Sequence, residues 1–196
     1  MSTAHLVPSD IAELYEIHEW RNAVGVLSTA CAAEWHEIQI ALRAFRLLRS
    51  EVLTAGGNRS SIVDRLEQPL KGTGWIEKQF STAIVVDGQT KESPTHSVDC
   101  FKGRVALEVE WNNKDPFYDR DLNNFRLLFD LQVIDVGIII TRASHLQKIF
   151  NTLGRGTSYG NSTTHMNKLL PRLQGGSGGG CPIVAFGITD RLYVED

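Results

Sequence analysis

The chain has 196 residues, 42% hydrophobic and 22% charged, an ordinary balance for one soluble globular domain that buries about two-thirds of its unfolded surface. Cys31, Cys100 and Cys181 are an odd number at wide spacing without a C-x-x-C or Cys/His pattern, which argues against a disulfide scaffold and a structural zinc site and suits a reducing, cytoplasmic compartment. No apolar run approaches membrane-spanning length and no charged-then-apolar leader opens the chain, so neither a membrane span nor Sec export is expected.

The net charge of −3 argues mildly against a nucleic-acid partner, but it hides an asymmetry. Between Val136 and Thr189 there is no Asp or Glu, while Arg142, Lys148, Arg155, Lys168 and Arg172 are all present. The rest of the chain has 15 basic residues against 23 acidic ones. A surface free of carboxylates suits a phosphate-facing region, although a buried strand plus a polar loop would have the same composition.

Ser9 and Asp10, after Pro8, predict a helix beginning near Ile11 with Glu13 and Glu16 in its first turns and Glu19 beyond. Trp35, Ile38, Leu42, Phe45, Leu48 and Val52 recur at three- and four-residue steps. They predict one long helix from about Ala32 to Thr54, ended by Gly56-Gly57-Asn58. Arg43, Arg46 and Arg49 lie off that stripe, on a face read as solvated. Phe80 to Val86 reads as a strand closed by Asp87-Gly88, and Asp119 to Leu131 has helical spacing. Val133 to Thr141 reads as a strand buried on both faces, followed by short helices at Ser144 to Leu153 and Thr164 to Leu173. Gly175 to Gly180 reads as a flexible connector before a last buried strand, Pro182 to Thr189. This order predicts an α/β (α+β) domain with a mixed central β-sheet flanked by helices. Residues 1–57 would form a helical part and residues 58–196 the sheet and its loops.

The stretch VDCFKGRVALEVEW, Val98 to Trp111, is the most informative. Lys102-Gly103 suits a two-residue hairpin turn, which pairs Phe101 with Arg104, Cys100 with Val105 and Asp99 with Ala106. Strand side chains alternate, so Ala106, Glu108 and Glu110 share a face, with Asp99 diagonal to Glu108. Val105, Leu107 and Val109 face the other way. A change of turn length by two residues keeps this parity, and an odd change breaks it. Three carboxylates on one side of a ribbon suit a hard cation such as Mg²⁺, which takes oxygen ligands, activates water and neutralises charge on a phosphodiester under attack. A solvated acidic strand face remains the other reading, because E-x-E is common.

Asp99, eight residues and then Glu108-Val109-Glu110 is similar to the split active-site motif of the PD-(D/E)xK nuclease superfamily. FKGRVALEVEW, IDVGIIIT, TSYGN and PIVAFGIT resemble the BglII/BstYI type II restriction endonucleases, and LKGTGWIEKQF, Leu70 to Phe80, resembles the segment before their catalytic strand. The likeness spans about Leu66 to Thr189. It implies a PD-(D/E)xK restriction-endonuclease-like fold, with Asp99 and Glu108 as metal ligands helped by the carbonyl of Val109. Glu110 stands where the nearest relatives have Gln and the wider superfamily Lys, so its role stays open between general base, second-metal ligand and water positioning. Lys102 and Lys114 are close in sequence but neither occupies the matching place, and both read as phosphate contacts or plain surface.

The resemblance also implies a Mg²⁺-dependent homodimer on a short palindrome of double-stranded DNA with a GATC core, leaving 5′-phosphate and 3′-hydroxyl ends. For base reading in the major groove the best supply is the loop with Arg155, Thr157, Ser158, Tyr159, Asn161 and Ser162. Asn123 and Asn124 are candidates for phosphate contact. A repair or junction nuclease of the same fold is a near alternative, and a DNA-binding module without catalysis a more distant one. The latter expects one of the three carboxylates to be lost, and all three are present.

Overall fold

A computed structural model describes residues 2–54 and 60–196. The first elements are α1 (Ser9–Ala12), β1 (Tyr15–Trp20), α2 (Ala23–Thr29), α3 (Ala32–Ala44), β2 (Leu47–Leu48), α4 (Arg49–Leu53) and α5 (Ser61–Lys71). Next come β3 (Ile76–Lys78), β4 (Ala83–Val86), β5 (Gln89–Glu92), β6 (Val98–Lys102), β7 (Val105–Glu110) and α6 (Phe117–Asp130). The chain then runs through β8 (Val136–Arg142), α7 (Gln147–Thr152), α8 (Met166–Gln174), β9 (Ile183–Ile188) and β10 (Tyr193–Val194).

Six strands form one sheet in the order β1-β9-β8-β7-β6-β3. β7, β8 and β9 run parallel, and the remaining pairs are antiparallel. Every residue of β7, β8 and β9 is buried, because helices cover both faces. On one face Leu27, Ile38, Leu42 and Leu66 belong to the same core as Leu107, Ile138 and Phe186. On the other, Tyr118, Leu122 and Phe125 of α6 and Leu169 of α8 join Ala106, Ile139 and Ala185. This is the mixed sheet between helices that the sequence predicts.

The N-terminal third departs from its expected helices. Tyr15–Trp20 is a strand, in register with β9 from Tyr15↔Ile188 to Trp20↔Ile183. Its sequence YEIHEW has a partial two-residue alternation, and pairing along a buried strand outweighs weak helical propensity. Residues 2–54 are therefore not purely helical, because β1 joins the sheet. Glu19 instead accepts the N–H groups of Ala4 at 2.9 Å and Val24 at 3.1 Å, tying the first residues to the start of α2. The long helix stops at Phe45, whose ψ of 139° is extended, and the chain reaches the core again through β2 paired with β10. Of the predicted stripe beyond the break Phe45 and Val52 stay buried, whereas Leu48 is half-buried and its neighbour Leu47, outside the stripe, enters the core. Arg43 pairs with Asp10, and Arg46 donates to the carbonyls of Arg43 and Phe45. Gly56-Gly57-Asn58 lies outside the described residues.

β4 and β5 form an exposed hairpin on the expected Asp87-Gly88 turn, with φ 51° and 77° at those residues. Gly175 to Gly180 is a packed turn rather than a loose connector. A Cβ on Gly178 would lie 2.5 Å from Ile183, and Gly179, at φ 58°, lies against Arg126.

Gly137 tests the packing of the sheet. A Cβ there would sit 2.4 Å from the buried Phe125 ring. Gly137→Ala is expected to cost about 1–3 kcal/mol, seen as a lower urea midpoint at unchanged m-value; an unaltered midpoint would contradict this packing.

Candidate active site

The strands β6 and β7 pair as Cys100↔Leu107, Phe101↔Ala106 and Lys102↔Val105, so the turn is Gly103-Arg104, one residue beyond the expected Lys102-Gly103. Gly103 takes the first turn position with φ 55°, where glycine has no Cβ penalty. Both turns contain two residues, so the register moves by two and the facing parity survives. Continuing the ladder sets Asp99 directly opposite Glu108 instead of diagonal to it. Lys102 is drawn elsewhere, with its Nζ 2.6 Å from Glu37 and 2.7 Å from the carbonyl of Thr73. Lys114 pairs through its main chain with Thr163.

At Asp99 the ladder opens. Val98 and Phe101 belong to the core beneath α6, whereas Cys100 between them belongs to the opposite core. That pattern needs an extra residue, and the β3–β6 register shifts there. In the gap Asp99 Oδ2 accepts the Val109 N–H at 3.0 Å, and Glu108 Oε2 accepts the Asp99 N–H at 3.2 Å. Side chains replace main-chain bonds and hold two carboxylates side by side.

Asp121 on α6 adds a fourth carboxylate, outside the motif read from the sequence. It falls within the buried stripe of Tyr118, Leu122, Phe125 and Leu128, and an acid at such a position was the available signal. Glu110 Oε2 accepts from Asn113 Nδ2 at 2.9 Å and Glu110 Oε1 from Arg120 Nη2 at 3.3 Å, while Arg120 Nε donates to Asp121 Oδ1 at 2.8 Å. Hydroxyls of Thr141 and Thr164 donate to the Glu110 carbonyl at 2.9 and 3.3 Å, fixing the end of β7.

Burial raises all four carboxyl pKa values. Glu108 stands well above its ordinary value, through burial and then the charges of Asp121 and Asp99. Glu110 is pushed up to about 9 by burial and by Asp121. In Asp99 the Val109 N–H opposes the rise; in Asp121 the hydrogen bond with Glu110 and the Arg120 charge do so. Part of the cluster therefore stays protonated at neutral pH when no cation is bound.

A divalent cation fits these groups. Glu108 Oε1 and Asp121 Oδ2 are buried without a hydrogen-bond partner, a costly state for an anionic oxygen unless a proton or a cation meets it. Asp99, Glu108 and the Val109 carbonyl would supply hard oxygen donors, leaving other positions to water and substrate phosphate. Among the described residues no three His, Cys, Asp or Glu side chains form a ligand set on their own, so the fit rests on two carboxylates and a carbonyl.

Asp99, Val109 and Glu110 line a cleft of about 690 Å³, whose walls also include Glu67, His96, Asn113, Arg120, Arg155 and Ser158. Glu67, His96 and Arg120 were not marked by the sequence patterns. Arg155 reaches the carbonyl of Thr54 at 3.2 Å, and Thr157, Ser158, Asn161 and Ser162 are exposed. Tyr159 corrects the expected reading set. Its ring is buried, stacked on Phe150 with centroids 4.1 Å apart and edge-on to Trp111, so it anchors the loop.

Arg142 is also internal. Its guanidinium donates to the carbonyls of Tyr159 and Thr164 at 2.9 and 3.1 Å and to the Thr163 hydroxyl at 3.1 Å, and burial lowers its pKa to about 10. Asn124, a candidate phosphate contact, is buried and donates to the His96 carbonyl; Asn123 is exposed.

Residues 15–188 match the protein family described as Restriction endonuclease BglII/BglIII. The chain belongs to the BglII/BglIII restriction endonuclease family. The match runs from β1 through β9 and includes all four carboxylates. A comparison with curated proteins finds no match. Membership makes the chain a type II site-specific deoxyribonuclease acting on double-stranded DNA. Among the described residues no helix is long and apolar enough to cross a membrane.

The buried carboxylates give this restriction endonuclease a characteristic pH dependence when chelator removes divalent ions. Glu110 titrates near 9 in the folded chain against an ordinary 4.5, so its protonation favours the fold below that range. That contribution is lost as pH rises through about 9. The melting temperature in EDTA should fall between pH 6 and 9.5, and Glu110→Gln should flatten the slope. A wild-type melting temperature that rises across this range would contradict the assignment.

Proposed function

We propose that the enzyme cuts both strands of a short palindrome with a GATC core, using Mg²⁺ and leaving 5′-phosphate and 3′-hydroxyl ends. It would act as a homodimer that sets one cleft on each strand. The observation behind this reading is the open β6–β7 ladder, which holds Asp99, at the wall of a cleft, beside the buried Glu108, one of whose oxygens has no hydrogen-bond partner.

Asp99, Glu108 and the Val109 carbonyl would hold the cation. Bound Mg²⁺ supplies Lewis-acid activation of water and neutralises charge at the phosphate. The Val109 N–H fixes one oxygen of Asp99, and the Asp99 N–H fixes one oxygen of Glu108, so neither carboxylate is free to turn away. Glu110 receives the proton of the attacking water, with Asn113 and Arg120 orienting its carboxylate. The water oxygen bonds to phosphorus, the P–O3′ bond breaks, and the 3′ oxygen leaves with a proton from solvent. The proton affinity of Glu110, raised by burial, falls toward the working range once positive charge is held beside it. Arg155, Thr157, Ser158, Asn161 and Ser162 supply donors and acceptors for base edges, on a loop that buried Tyr159 and Arg142 hold in shape.

Digestion of a sequenced plasmid with Mg²⁺, followed by end mapping, should yield discrete fragments with 5′-phosphate ends at one palindrome. Asp99→Asn and Glu108→Gln should each lower cleavage by at least ~100-fold while largely sparing duplex binding in calcium. A smear, a nicked circle or full activity in either variant would count against this reading. Near-wild-type turnover in Glu110→Gln would remove that carboxylate as the base.

A further inference from the structure

Among the described residues two permanently charged cations line the cleft, Arg155 at the loop wall and Arg120 at the carboxylates. Arg120 sits on the first turn of α6 with about a third of its side chain exposed. Its Nε and Nη2 atoms face inward, to Asp121 Oδ1 at 2.8 Å and Glu110 Oε1 at 3.3 Å. The guanidinium lies 4.3 Å from the centroid of the Phe117 ring, which restrains its plane. Among the described residues its Nη1 donates to no group, so one edge of the fork is committed to carboxylates and another is spare. A DNA phosphate entering this cleft meets Asp99 and Glu110, with Glu51 and Glu67, on its walls, and it needs a cation directed at it from among them.

We propose that Arg120 is a catalytic residue of the nuclease reaction: it keeps its inward bonds to Glu110 and Asp121 and donates through its free edge to the phosphate being cut. The proposal rests on the nuclease reading above and adds the group that holds the reacting phosphate. Guanidinium suits the task because its fixed fork can join a carboxylate and a phosphate without losing charge.

The test combines binding and chemistry. Duplex affinity is measured against salt concentration with calcium in place of magnesium, so that the DNA stays whole, and single-turnover cleavage is measured with magnesium. Arg120→Gln should make the plot of log affinity against log salt shallower by about one unit per bound chain, and should slow cleavage by ~100-fold. Arg120→Lys keeps a positive charge and should restore the salt slope and part of the rate. An unchanged slope in Arg120→Gln would overturn the proposal, because a role confined to organising the carboxylates leaves phosphate contacts intact. An Arg120→Lys slope shallower than the wild type's by that same unit would overturn it as well, and it decides the matter if Arg120→Gln fails to fold. Failure of the wild type to cut any DNA would sink the nuclease reading instead, while the salt slope would still report whether Arg120 touches phosphate.

Discussion

Repulsion among buried carboxylates is the constraint around which this structure is built. Asp99, Glu108, Glu110 and Asp121 converge where water is scarce, and each neighbouring pair of charges at about 4 Å costs about 4 kcal/mol at an effective dielectric near 20. The surroundings absorb that cost in distinct ways. Protons stay on at raised pKa values, one arginine bridges two of the acids, and main-chain N–H groups bond one oxygen each of Asp99 and Glu108. Two apolar cores, one on each face of β7, hold the backbone against the strain. A carboxylate cluster of this kind is thus a local weakness that a well-packed sheet can tolerate.

The same sheet joins cleavage to recognition. β7 and β8 run parallel with Glu110 opposite Thr141, and the next residue of β8 is Arg142. Thr141 holds the carbonyl of Glu110 while Arg142 holds the carbonyls of the loop that would read bases. Thr164 touches both regions, bonding the Glu110 carbonyl through its hydroxyl and accepting at its own carbonyl from Arg142, which also holds Tyr159 of the loop. A shift of the 154–162 loop on a wrong sequence would therefore be felt at the end of β7 within a few hydrogen bonds. Short, buried polar links of this kind transmit displacement better than solvated ones, because each broken bond leaves a group unsatisfied.

What could be read beforehand follows from which forces are local. The strands Val136–Arg142 and Ile183–Ile188 were legible because burial on both faces leaves a continuous apolar run. The convergence of Asp99, Glu108 and Glu110 survived a misplaced turn, since parity depends on even steps and the error was two. β1 was misread because its pairing with β9 spans most of the chain and outweighs local preference. Asp121 escaped notice because its meaning lies in the residues opposite it, and only its place within an apolar stripe hinted at burial. Tyr159 looked like a loop residue by its neighbours, yet Phe150 and Trp111 claim its ring.

Charge shows the same separation between total and arrangement. A net −3 suggested indifference to DNA, and the acid-free stretch from Val136 to Thr189 suggested the opposite. The folded chain refines both. Arg142 is spent internally, Arg172 is 2.8 Å from Asp119, and Lys168 is 3.5 Å from Asp115, so composition overstates the free positive charge of that segment. The excess acidity, in turn, includes four carboxylates that are partly protonated without a cation and that a divalent ion would offset. What attracts a phosphate here is neither sum. It would be the placing of Arg120 and Arg155 in the lining of one cleft, with Asp99 and Glu110, so that the field at a phosphate there is set within a few ångströms and the distant charges are screened.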